Sequence, residues 1–152
     1  MMLKTRQWVL AMSAGLLIAG AAQAQDGDGD EGEGAVVALG ASLFGENEVG
    51  HKGAGKDASA NFEGEIDMEE GTLCYFLEVE ELEGFTAAHI HKGKAGENGP
   101  PVVALELASD DEVCTEVEAD VLKGIAQDQE GYYVNVHTTA FPAGAVRGQL
   151  GS

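Results

Sequence analysis

Residues 87–91 read Ala-Ala-His-Ile-His, and residues 132–138 read Tyr-Tyr-Val-Asn-Val-His-Thr. Successive side chains of an extended strand point to opposite faces. The first stretch, read as a strand, puts His89 and His91 on one face and Ala88 and Ile90 on the other. The second puts Tyr133, Asn135 and His137 together, with Val134 and Val136 opposite. Each segment thus has a small or β-branched apolar face suited to a core, and a polar face carrying imidazole. The period is two, so both segments read as strands. If the two strands lie close in one sheet, three histidines converge outside its core.

The same alternation recurs elsewhere in the chain. Residues 72–80 (TLCYFLEVE) place Leu73, Tyr75, Leu77 and Val79 on one face. Residues 35–44, 58–67, 102–107 and 145–150 also read as short strands. Residues 109–112 read as an acidic turn before Cys114. Residues 118–127 read as a short helix, because Val121, Leu122 and Ile125 fall at helical spacing. Glycine-rich connections occupy residues 50–56 and 92–101. Seven or eight short strands, with turns about every ten residues and no long helical period, imply an all-β antiparallel sandwich or barrel.

The start of the chain has a different character. Lys4 and Arg6 precede an apolar run from Trp8 to Ala22, and Ala22-Gln23-Ala24 is a small-x-small cleavage site. Residues 1–24 therefore read as a signal peptide, with no cysteine after the cut to carry a lipid. Residues 25–35 begin QDGDGDEGEG and read as a disordered acidic leader. Their Asp-Gly-Asp opening does not make a calcium loop, since Glu31 and Val37 stand where that loop needs glycine and glutamate. Residues 36–152 form the one expected domain. No later segment is apolar enough to span a membrane. The expected location is the periplasm or the extracellular space.

The net charge is −19, and removal of Lys4 and Arg6 with the signal peptide takes it to −21. Such a surface repels nucleic acid and anionic lipid and attracts cations. Cys74 and Cys114 are the two cysteines. In an oxidising compartment they are expected to pair, closing a loop of about 40 residues and stabilising the fold by roughly 3–4 kcal/mol.

Four pieces in order now support a comparison: Gly45-Glu46-Asn47-Glu48-Val49; Ala88-His89-Ile90-His91 with its glycine-rich loop and Val102-Val103; Tyr133-Val134-Asn135-Val136-His137-Thr138; and residues 142–150, PAGAVRGQL. Together they resemble the CHRD domain, the module named from chordin and found singly in secreted bacterial proteins. The resemblance covers about residues 36–150. It implies a compact Greek-key-like β-sandwich in a stand-alone exported protein, and says little about activity. At Gly50-His51 the chain departs from members that continue with prolines. A looser similarity, confined to a few residues, is to copper–zinc superoxide dismutases, which also carry an HxH pair on a sandwich strand. It implies at most a copper-only version, because no zinc cluster follows His91.

Three neutral imidazoles suit copper or zinc. The candidate metal ligands are therefore His89, His91 and His137. Asn135, Thr138, Arg147 and Gln149 are candidates for hydrogen bonding to those ligands or for holding a ligand. His51 lies alone in a loop and is expected to be solvated. Two other readings of this face stand beside the metal. One is a hydrogen-bonded network without an ion, favoured by the positive charge of Arg147. The other is an organic or anionic ligand held by Arg147. No serine or cysteine nucleophile, spaced carboxylate pair or phosphate-cradling loop is evident, so the reading leans away from an enzyme. The functional expectation is an exported binding or structural module with a histidine-rich face. The alternatives are a copper-only dismutase-like enzyme, with Arg147 steering its anion, and a protein-interaction or assembly module whose partner the residues do not name.

Overall fold

The computed structural model describes residues 36–151. The expected signal peptide and acidic leader lie outside the described residues. Eight strands follow in order: β1 (Val36–Phe44), β2 (Ser59–Asp67), β3 (Thr72–Glu80), β4 (Phe85–Lys92), β5 (Pro101–Leu105), β6 (Ala108–Glu116), β7 (Tyr132–Thr138) and β8 (Val146–Gln149). One helix, α1 (Ala119–Gln127), lies between β6 and β7. The all-β antiparallel expectation holds, and β3 keeps the bounds read from its alternation.

The strands hydrogen-bond in the order β5-β4-β7-β8-β1-β2-β3-β6, as one curled sheet instead of two separate ones. The β8–β1 junction is narrow: Phe44 pairs with Arg147, and Gly40 bridges to Gly151. Gly148 is needed beside it, because a Cβ there would overlap the backbone carbonyl of Ser42. This junction joins two four-stranded halves. Both contribute to one apolar cluster: Leu43, Phe62, Ile66, Leu73, Tyr75 and Leu77 from one, Ile90, Val134, Val136 and Val146 from the other. Phe62 and Tyr75 stack within it, with ring centroids 5.7 Å apart. Leu122 and Ile125 of α1 are buried in the same cluster. Burying large apolar side chains contributes about 1.5–3 kcal/mol each, which is why alternation decides which face turns inward.

Local chemistry fixes the hairpins. Between β2 and β3 the carboxylate of Asp67 accepts the N–H groups of Glu69 and Glu70, both at 2.8 Å, and Gly71 supplies the positive φ that ends the turn. β1 and β2, and β2 and β3, each pair over nine residues.

One expectation is overturned. Residues 109–112 are not a turn but part of β6. β6 is an edge strand, paired with β3 alone. An edge tolerates charged side chains, which also discourage pairing with another chain. The fifth strand ends at Leu105, before the exposed Leu107. Cys74 on β3 lies directly opposite Cys114 on β6, and the two form a disulfide. The chain leaves β3 for the far end of the sheet, builds β4 and β5, and returns as β6. The bond therefore closes the loop that contains His89 and His91. Such a bond fits an oxidising compartment. Among the described residues, no helix is long and apolar enough to cross a membrane.

Candidate metal centre

β4 and β7 are antiparallel neighbours, aligned from Phe85 opposite Thr138 to Lys92 opposite Tyr132. Ala88, Ile90, Val134 and Val136 are buried in the core. The alternation then puts His89, His91, Tyr133, Asn135 and His137 on the other face. His89 faces Asn135, His91 faces Tyr133, and His137 faces Ala87. The small Ala87 leaves room for the His137 ring to lean toward β4. Ring centroids are 5.3 Å apart for His89 and His137, 5.5 Å for His89 and His91, and 6.1 Å for His91 and His137. One ring nitrogen from each lies within 4.8 Å of the other two.

The hydrogen bonds set the tautomers. His91 Nδ1 lies 2.9 Å from the carbonyl oxygen of Gly99, and His137 Nδ1 lies 3.2 Å from that of Pro142. A carbonyl only accepts, so both Nδ1 atoms carry the proton and both Nε2 atoms present a lone pair. His91 Nε2, His137 Nε2 and His89 Nδ1 are buried and have no hydrogen-bond partner. Three orphaned nitrogens in one cluster are costly unless something meets them. Burial pushes the His91 and His137 imidazoles below their ordinary value of 6.5, so they stay neutral, as metal ligands must.

The other candidates have different duties. Asn135 Nδ2 donates to the Glu48 carboxylate and to the Val146 carbonyl. Thr138 lies on the core side of β7, and its Oγ1 accepts the Phe141 N–H at 3.1 Å to close the β7–β8 turn. It does not touch the imidazoles' face. Arg147 is 2 % exposed. Its guanidinium donates to the carbonyls of Lys94 (3.0 Å) and Glu97 (2.7 Å) and to Asn98 Oδ1 (3.2 Å), and lies 3.4 Å from the centre of the Tyr133 ring. Gln149 Nε2 donates to the carbonyls of Gly93 and Glu130, each at 2.7 Å. Arg147 and Gln149 thus tie down the 92–101 loop. His51 stays outside the cluster, with its Nε2 3.6 Å from Glu48. Cys74 and Cys114 with Glu112 make a second close group, but their sulfurs are spent in the disulfide.

The CHRD domain family model matches residues 39–150. The chain belongs to the CHRD-domain family. No curated protein and no solved structure matches it. The geometry explains why the CHRD-like pieces occur together. Asn47 Nδ2 donates to the Arg147 carbonyl at 3.0 Å, and Glu48 accepts from Asn135. Arg147 and Gln149 hold the loop after His91. The four separated stretches of this CHRD domain thus form one network around β4, β7 and β8.

The alternation places Tyr133 on the histidine face without giving it a role, and nothing in the local sequence points to Glu48, Asn98 or the carbonyls of Gly99 and Pro142 as partners of the site. The side chain of Glu48 is 3 % exposed, and burial raises its carboxyl above the ordinary value of 4.5. Its place in the Gly45-Glu46-Asn47-Glu48-Val49 stretch is the one sequence signal for it. Backbone carbonyls have no side-chain signature and could not be found that way.

Proposed function

We propose that this CHRD domain is an exported binding module that holds one copper ion, in preference to zinc, on His89, His91 and His137. The observation that carries the reading is the set of three buried ring nitrogens without a partner, on rings that already sit together. Imidazole-only sites favour copper over zinc by intrinsic affinity. Nitrogens bound at about 2.0–2.1 Å to one ion stand no more than about 4.2 Å apart, and the three ring nitrogens here already lie within 4.8 Å of one another. The acidic surface raises the local concentration of cations. His89 and His137 are half-buried and His91 is buried, and a three-histidine set leaves a fourth position on the ion for an exchangeable ligand.

A second reading, dismutase-type redox chemistry, is favoured by that fourth position alone. Its anion-steering arginine has both terminal guanidinium nitrogens committed to the 92–101 loop. A binding role therefore explains more of the site than turnover does.

Elemental analysis of protein purified from its native compartment tests the proposal. One equivalent of copper is expected, and none in a His89→Ala/His91→Ala/His137→Ala variant of unchanged fold. Equal metal in both proteins would refute the site. Superoxide turnover above a free-copper control, lost in the same variant, would move the reading to the enzyme.

A further inference from the structure

His91 is the one imidazole of the three that is held from two sides by parts of the chain remote from it. Its Nδ1–H is fixed by the Gly99 carbonyl, inside the 92–101 loop. Its ring stacks on Tyr133, with centroids 4.9 Å apart and planes 9° from parallel. Gly99 and Tyr133 are themselves joined, since the Gly99 N–H donates to the Tyr133 hydroxyl at 3.2 Å. Both supports meet at one residue. Arg147 donates to two carbonyls and one side chain of the loop, and its guanidinium lies over the Tyr133 ring. β4 and β8 flank β7 on opposite sides, so the Tyr133 ring lies between His91 and Arg147.

We infer that Arg147 is a positioning residue for His91: by clamping the 92–101 loop and the Tyr133 ring, it holds His91 in the Nδ1–H tautomer with Nε2 free for the ion. The inference rests on the copper reading for its purpose, but not for its test. The planar fork of arginine is what the arrangement uses. It spreads donors over three acceptors while its face covers an aromatic ring. A lysine has the same charge but no planar fork, so it cannot reach all three acceptors while lying flat over the ring. If the charge of Arg147 mattered only by repelling a cation, lysine would substitute for it, and a neutral residue would tighten metal binding. The positioning role predicts the reverse in both respects. Changing residues that orient metal-bound histidines typically weakens metal affinity by about 10–100-fold.

The experiment compares wild type with Arg147→Lys and Arg147→Met in two measurements. Long-range proton–nitrogen NMR of the metal-free protein reads the His91 tautomer. Wild type is expected to show Nδ1–H alone, and both variants a mixture, while His137, held by Pro142, is unchanged. Copper titration against a competing chelator is then expected to show about 10–100-fold weaker binding in both variants. A pure Nδ1–H signal for His91 in Arg147→Lys, or tighter copper binding by Arg147→Met, would overturn the inference. Wild type that shows the fixed tautomer but takes up no copper would overturn the metal reading instead, leaving the positioning role intact. Should the Arg147 variants fail to fold, Asn98→Ala removes a single guanidinium contact and gives the same tautomer change in smaller measure. Asn98→Ala with wild-type tautomer and copper affinity would then count against the inference.

Discussion

Removing the disulfide tests the topology quantitatively. Cys74 and Cys114 are 40 residues apart, and their loop carries β4 and β5 to the opposite end of the sheet and back. In the chain-entropy account, closing 40 residues removes about 13 cal/mol/K from the unfolded chain, or about 3.9 kcal/mol at 25 °C. Melting entropy of about 2.1 cal/mol/K per residue gives about 0.24 kcal/mol/K for the described domain, so Tm should fall by about 16 °C. The assay is urea unfolding at 25 °C and calorimetry of the oxidised wild type beside Cys74→Ser/Cys114→Ser. The urea slope should rise slightly, because the freed unfolded chain exposes more surface. Copper uptake by the still-folded variant should match wild type, since the β4–β7 pairing does not depend on β3 or β6. A stability loss below about 1 kcal/mol would refute the reasoning, because the β3–β6 pairing would then be holding the strand ends without help from the cross-link.

The two faces of β4 should separate stability from binding. Ile90→Ala, in the core, is expected to cost about 2–5 kcal/mol by urea unfolding, whereas His89→Ala costs under about 1 kcal/mol and abolishes copper uptake. Gly148→Ala would press a methyl group against the Ser42 carbonyl, and is expected to cost about 1–3 kcal/mol and to speed amide exchange at residues 42–44 and 146–149. Glu48 has a folded-state pKa raised by burial, so between 4.5 and that higher value the folded chain binds more protons than the unfolded one. Its contribution to stability therefore falls as pH rises through that window. Glu48→Gln should gain on wild type as pH rises from 4.5 to neutrality, read from urea midpoints; a constant difference would contradict the sign.

The strands that pack on the core were legible because their alternation is strict. Residues 72–80, 87–91 and 132–138 show it, and each became a strand with the expected face inward. β6 was not, since its acidic run reads as a turn to any rule that equates charge with loops. Its partner β3 made it a strand, and that pairing is a long-range fact. Thr138 was a readable error. It has the parity of Val134 and Val136, so the alternation that placed His137 outside already placed Thr138 inside. Arg147 was seen as a charge near the histidines, yet its role depends on where the 92–101 loop folds back. Glu48 meets Asn135 across 87 residues, a contact that no local pattern carries.

The narrow β8–β1 junction has a bearing on what the molecule can withstand. Few backbone bonds cross it, so thermal opening should begin along that line, as a book opens at its spine. All three imidazoles belong to β4 and β7, on one side of the line. A transient parting of the two halves would therefore break the Asn47–Arg147 and Glu48–Asn135 contacts first, while the seven aligned pairs beneath the histidines stay in register.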